Sequence, residues 1–413
     1  MAEPRRAKTP LRGSIVIGAA YLVQGLIAAI GVLLIGRLAQ LGTPLATQGG
    51  ILASGAIPWV LKFVVAVLLD LGPSWPLRIR ALVLAAVQLC AAACVWGIAQ
   101  LFVDGPTPSS LLAVALGWFV LNLCAASQDV IVDALALDTM AERRAAAATA
   151  MGVGVALGFN ILGAWLVGGR IVAQGMAAGL SWPVWWIAAI ALVPVFALWQ
   201  PGRPSKARER SEQRARSPRE LAKLLWIPPL FVALTLAANT TSAVSFEFLF
   251  VELGWDYPSY ASLLLPIGSI ASLLGALACG PLVARLGPAR AALIGSALLG
   301  LSWLGFAAAC SHWSLRPLIM LLAGWEGLLQ SAMMVALHAL ALVAAARTPL
   351  PTTAFVLAMA SLNLPRVLGP LVAPHAVALG WAGLFAACGL VQLLASAGVV
   401  PLRPHSRGGN DPA

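Results

Sequence analysis

Gly280-Pro-Leu-Val-Ala-Arg285-Leu-Gly287-Pro-Ala-Arg290 is a short basic loop set between two long apolar runs. Residues 259–282 lie on one side and 290–309 on the other, each close to the ~20 residues a helix needs to cross hydrocarbon. Outward in both directions the same alternation repeats. Apolar spans fall near 14–36, 48–69, 81–101, 111–136, 146–168, 183–200, 226–250, 259–282, 290–309, 317–344, 352–373 and 380–401, twelve in all. Composition agrees. Hydrophobic residues make up 60% of the chain and charged residues 10%, and mean hydropathy is +0.90. A soluble chain is ~25% charged. With so few charges, 413 residues could not cover a water-facing surface, so lipid is the solvent for most of the chain.

The net charge of +11 suggests a nucleic-acid partner, but its placement excludes one. Of 26 Lys and Arg residues, 24 lie outside the apolar runs. With the N-terminus on the inner side, 21 of them fall on that side and three, Arg37, Arg170 and Arg316, on the other. That bias is the positive-inside pattern and predicts a multi-pass protein of a bacterial inner membrane with both termini cytoplasmic. The first span runs about 22 residues with no small-residue cleavage site after it, so it reads as a retained helix rather than a signal peptide. Residues 201–225 are basic, bounded by Pro201 and Pro218 at the polar stretch, and too polar to insert. They divide the chain into an N-terminal six-helix bundle, 1–200, and a C-terminal one, 226–413. The basic tether also suits contact with anionic lipid.

Charges within a span are expensive and mark functional positions by default. The N-terminal half holds Lys62, Asp129 and Asp133, the two acids four residues apart on one helical face. The C-terminal half holds Glu247, Glu326 and Arg366, and a Glu326–Arg366 pair is expected. Two jobs are open to such groups: a carboxylate desolvated in a cavity can carry a proton, or the pairs hold helices together. Asp138 and Glu142 read as helix-end acids. Uncharged polar residues join them as candidates to line a substrate cavity: Tyr21, Gln24, Asn122, Asn160, Asn239 and Asn363, with Trp325 among the deeper tryptophans. Packing between helices is the competing role for each. Gly154-x-x-x-Gly158 reads as close helix packing.

The loop after the second apolar run is the counterpart of the opening one. It carries Asp70 followed by Arg78 and Arg80, whereas the later loop carries Arg285 and Arg290 with Ala284 at the acidic place. Both resemble the G-x-L-a-D-R-x-G-R-R loop of the major facilitator superfamily, each keeping part of it at equivalent places in the two halves. That resemblance implies an all-α membrane protein, twelve transmembrane helices in two pseudo-symmetric six-helix bundles. It also implies a gate at the cytoplasmic side built from Asp70, Arg78, Arg80, Arg143, Arg144, Arg285 and Arg290. Asp70 with Arg143 or Arg144 is the expected latch.

Ser127-Gln-Asp129-Val-Ile-Val-Asp133-Ala resembles the S-Q-D-x-x-x-D-A signature of the muropeptide permease and acetyl-coenzyme A transporter branch of that superfamily. Trp59-Val-Leu-Lys62-Phe and Tyr21-Leu-Val-Gln24-Gly25 are similar to its second and first helices. The branch includes compact siderophore permeases of the pyochelin and rhizobactin type. The resemblance therefore implies proton-coupled import of a siderophore, or a similar small amphiphilic metabolite, by alternating access. A muropeptide permease and a non-transporting signalling or scaffold protein are the rivals. The expected partners are a small molecule and the bilayer, for a monomer with no cofactor and no metal.

An enzyme is not expected. There is no phosphate-binding G-x-x-x-x-G-K-[ST] loop, and His312, His338, His375 and His405 are scattered. The six cysteines, Cys90, Cys94, Cys124, Cys279, Cys310 and Cys388, sit in or at the edge of apolar runs and read as bystander thiols.

Overall fold

The computed structural model describes residues 8–41, 43, 45–71, 75–103, 107–140, 143–198, 218–256, 259–346, 348 and 350–402. Most of the basic linker, Glu142 and Arg347 lie outside the described residues, as do the side chains of Asp138 and Glu247. The described chain is helical throughout. Hydrocarbon offers the backbone no hydrogen bonds, so each crossing must satisfy its own N–H and C=O groups.

The helices follow the apolar runs. They are α1 (Lys8–Gln40), α2 (Leu45–Leu71), α3 (Leu77–Gln100), α4 (Pro108–Thr139), α5 (Arg144–Gln174) and α6 (Met176–Leu198) in the first half. In the second, α7 (Pro218–Glu247) runs on through the wider turn Phe248–Glu252, and α8 (Leu265–Leu286) is preceded by a similar turn, Tyr260–Leu264. Then come α9 (Pro288–Ala308), α10 (Arg316–Ala345), α11 (Pro351–Asn363), a second piece of the same crossing at Pro365–Val377, and α12 (Trp381–Ala397). The break at Leu364 is the work of Pro365, which cannot donate to the helical ladder. Nine of these are long and apolar enough to cross a bilayer alone among the described residues. Proline has no backbone donor, and Thr107 meets that gap ahead of Pro108 with a capping box. Its side chain accepts from Ser110 N at 3.3 Å, and Ser110 Oγ accepts from Thr107 N at 2.7 Å.

Large apolar side chains such as Leu68, Trp185, Phe196 and Leu394 are exposed all round the bundle, as lipid contact requires. Inside the first half α1 packs against α5 and α4, and α2 and α3 against α4. Inside the second, α8 packs on α10, α9 on α12 and α10, and α7 on the later piece of the α11 crossing. Contacts between the halves run from α5 to α8 and α10, and from α11 to α2 and α4.

The α1–α5 contact is close because glycine permits it. A β-carbon on Gly158 would run into the Leu22 carbonyl, and one on Gly25 into that of Val155. The packing read from Gly154 and Gly158 is what the helices make. At this contact α5 widens into a π-helical stretch, Leu157–Val167, which includes Gly158 and carries Asn160. Such stretches gather at functional sites.

Candidate functional site

Between the halves lies a cavity of about 720 Å³, within the size range of small-molecule sites. It is lined by α1, α5, α7, α8, α10 and α12, with Met176 of α6 and Phe306 of α9. Its mouth is marked by Arg37, Gly175 and Tyr260, all at the end of the molecule away from Lys8 and the basic loops. Arg37 and Glu326 are the charged side chains that line it. Glu326 lies deeper, where α10 turns its middle to the cavity. Its Oε1 accepts from Gln330 Nε2 at 3.1 Å. The Trp303 indole N–H is buried and has no hydrogen-bond partner among the described residues. Phe159, Phe248, Phe306 and Phe385 give the walls aromatic faces, with Phe248 and Phe385 ring centroids 5.2 Å apart.

Below the floor the halves close. Tyr21 meets His338 edge to face, with ring centroids 6.1 Å apart. Val335 fills the space beside Gly152, and Thr149 that beside Gly280. Ala66, Val130 and Val356 form a small apolar seal between α2, α4 and α11. At the basic end the Asp70 carboxylate accepts from the backbone N–H of Thr353 at 2.7 Å and of Thr352 at 3.3 Å. Those amides open α11, so an acid of the first half caps a helix of the second. Asp70 thus joins the halves through backbone amides, which a sequence does not display. Arg78, Arg143, Arg285 and Arg290 are exposed around this end, and Arg80 and Arg144 are half-buried.

Just on the closed side of the floor sits the charge cluster. Lys62 Nζ lies 2.6 Å from Asp129 Oδ2, and Gln24 Nε2 donates to Asp129 Oδ1 at 3.1 Å. Tyr21 donates to Asp133 Oδ1 at 2.7 Å. Asp133 Oδ2 is buried and has no hydrogen-bond partner among the described residues. Lys62 also lies over the Trp59 ring at 5.1 Å, and Trp59 Nε1 donates to Asn122 Oδ1 at 2.9 Å. The four-residue spacing of the two acids does put both on one face. They nonetheless differ: Asp129 is saturated by a cation and an amide, and Asp133 is half satisfied.

The remaining sequence candidates disperse. Among the polar residues read as cavity-lining, Asn160 faces the cavity. Tyr21 and Gln24 belong to the charge cluster beneath it, and Asn122 braces Trp59. Asn239 and Asn363 donate to carbonyls one turn back in their own helices, Thr235 and Met359. Trp325 is 44% exposed and lies outside the lining. Glu326 and Arg366 do not pair. Glu326 turns to the cavity, while Arg366, on the second piece of the α11 crossing, is exposed. Sequence reasoning passed over Gln330 and the serines Ser242, Ser245, Ser269 and Ser272 that line the cavity. A polar residue every turn or so along α7 and α8 was the available signal.

Solved structures share this arrangement over nearly its whole length. The human organic anion transporter MFSD10 (TETRAN) superposes with a TM-score of 0.66 at 16% identity, covering 94% of this chain and 99% of that one. A bacterial homologue of the iron transporter ferroportin, in an outward-facing state, does so with a TM-score of 0.66 at 13% identity, covering 95% and 98%. The chain has the major facilitator fold.

No protein-family model matches the chain. A folate-biopterin transporter of Synechocystis sp. (strain ATCC 27184 / PCC 6803 / Kazusa) is 27% identical over 273 residues, which is 62% of this chain and 51% of that protein. The chain thus spans about half the length of the curated relative it matches. All three relatives are transporters and none is an enzyme. The siderophore and muropeptide branch expected from Ser127–Ala134 is not among them.

Proposed function

We propose that this protein is a proton-coupled secondary transporter that loads a small organic solute from the side away from its basic loops and releases it into the cytoplasm. The observation that carries the reading is the pairing of an open chamber with a sealed floor over a buried, half-satisfied acid. The chamber gives the solute a place at the middle of the membrane between two matching halves, where alternating access would expose it to one side and then the other. The basic loops belong in the cytoplasm by the positive-inside rule, so the conformation described is the outward-facing one.

The driving group we assign is Asp133. An ionised carboxylate stripped of water needs partners for both oxygens. Asp133 has one, from Tyr21, and its other oxygen is where a proton would sit. Asp129 is already neutralised by Lys62, which makes it the fixed member of the cluster. Rocking of the halves would part Tyr21 from His338 and Asp70 from Thr353, opening a path for both proton and solute.

For the solute we favour a pteridine, on the strength of the folate-biopterin transporter relative and the aromatic walls of the chamber. The siderophore reading rests on the Ser127–Ala134 resemblance alone, and the muropeptide reading likewise. The test is uptake into proteoliposomes under an imposed pH gradient, with labelled biopterin, folate and pyochelin in parallel. The proposal expects biopterin or folate to accumulate above equilibrium and a protonophore to collapse the accumulation. Accumulation of pyochelin alone would restore the siderophore reading, and protonophore-insensitive uptake would remove the proton.

A further inference from the structure

We propose that Glu326 reads the solute, by accepting hydrogen bonds from the 2-amino-4-oxo-pyrimidine edge of a fused heteroaromatic ring. This deepens the transport reading above and rests on it for the chamber's purpose. Three features of the chamber converge on the residue. Glu326 is the acidic side chain in the lining. Its Oε1 is held by Gln330 at 3.1 Å, which fixes the direction of the carboxylate, and Oε2 makes no hydrogen bond among the described residues. Phe159 and Phe385 stand in the same lining and give it flat aromatic faces. A half-satisfied acceptor among aromatic walls is a site lacking its ligand's polar edge.

The chemistry selects the edge. A carboxylate accepts and does not donate, and it suits two N–H groups side by side. The ring N–H and exocyclic amino group of a 2-amino-4-oxo-pyrimidine present that pair. The 4-oxo group sits beside the ring N–H on the same edge and needs a donor, which Gln330, also in the lining, can supply. A flat bicyclic ring would then lie against Phe159 and Phe385. A phenolate or carboxylate metal-binding solute would bring negative charge to Glu326, which disfavours it.

Pterins and guanine share this edge, so the experiment separates them. Full-length protein in nanodiscs is titrated with biopterin, guanosine, a 2,4-dioxo pteridine lacking the amino group, and pyochelin, with tryptophan fluorescence as the readout. The proposal expects biopterin to bind about 10- to 100-fold more tightly than the dioxo analogue, since a missing N–H leaves the carboxylate unpaired. In Glu326→Gln that preference should collapse to within about 3-fold, and Glu326→Asp should keep part of it. Guanosine bound with the same Glu326 dependence supports the edge and assigns it to a purine.

Equal weakening of biopterin and the dioxo analogue in Glu326→Gln would overturn the proposal. So would wild-type protein that binds neither pterin nor guanosine. In that second case, gradient-driven uptake of another solute would leave the transport reading standing alone.

Discussion

Lys62 Nζ and Asp129 Oδ2 meet at 2.6 Å with the two side chains 1% and 3% exposed, an ion pair wholly inside the membrane-spanning body. Removing either partner strands the other in low dielectric, at a cost of about 3–5 kcal/mol. Lys62→Met and Asp129→Asn should each melt well below the wild type in detergent. The double variant, which strands nothing, should recover much of the loss. Single variants that melt with the wild type would mean water or lipid headgroups reach the pair.

Asp70 bonds across the halves, and in the proposed cycle it serves as a latch. Its bonds to Thr352 and Thr353 exist only while the halves touch at the basic end. Asp70→Ala removes a cap worth about 1 kcal/mol, enough to shift the closed population roughly fivefold. Cysteine labelling from the basic side, at a chamber position such as Ser272, should rise by a similar factor. Unchanged labelling would show that Tyr21, His338 and Val335 hold the floor without it.

The matching place in the other half is vacant of acid. Ala284 stands near the end of α8, which packs on α5, and the first turn of α5 has no side-chain cap. Ala284→Asp should therefore add a second latch, again by about 1 kcal/mol. The expected outcome is tighter closure at the basic end, slower transport and a higher melting temperature. A variant that destabilises the fold would show that α5 starts too far away to be reached.

Helix contact sets the frame for both latches. Gly158→Val should push α1 from α5, because the Leu22 carbonyl occupies the space a side chain would need. Gly169→Ala in the same helix meets open space and serves as the control. The yield of monodisperse protein should fall several-fold for the first and hold for the second. Equal yields would mean the two helices part without cost.

The twelve crossings were legible because hydropathy reports length, and length is what a bilayer selects. That Lys62 would meet one of the two acids was legible too, since opposite charges in apolar runs have few other partners, but which acid it meets was not. Facing was harder. A helix apolar all round shows no stripe to say which side meets a chamber, so Gln330 passed unnoticed and Trp325 was placed inside. Asp70 found backbone amides of α11, which carry no sequence letter. The π-helical turn of α5 left no mark in composition either, although Gly158 and Gly163 at its packing face were visible.

The account depends most on Asp133 as the proton's seat. The direct test is Asp133→Asn in proteoliposomes, measured twice with the same labelled solute. The account predicts that gradient-driven accumulation is lost while counterflow exchange, which needs no net proton movement, persists near the wild-type rate. Wild-type accumulation in Asp133→Asn would contradict it.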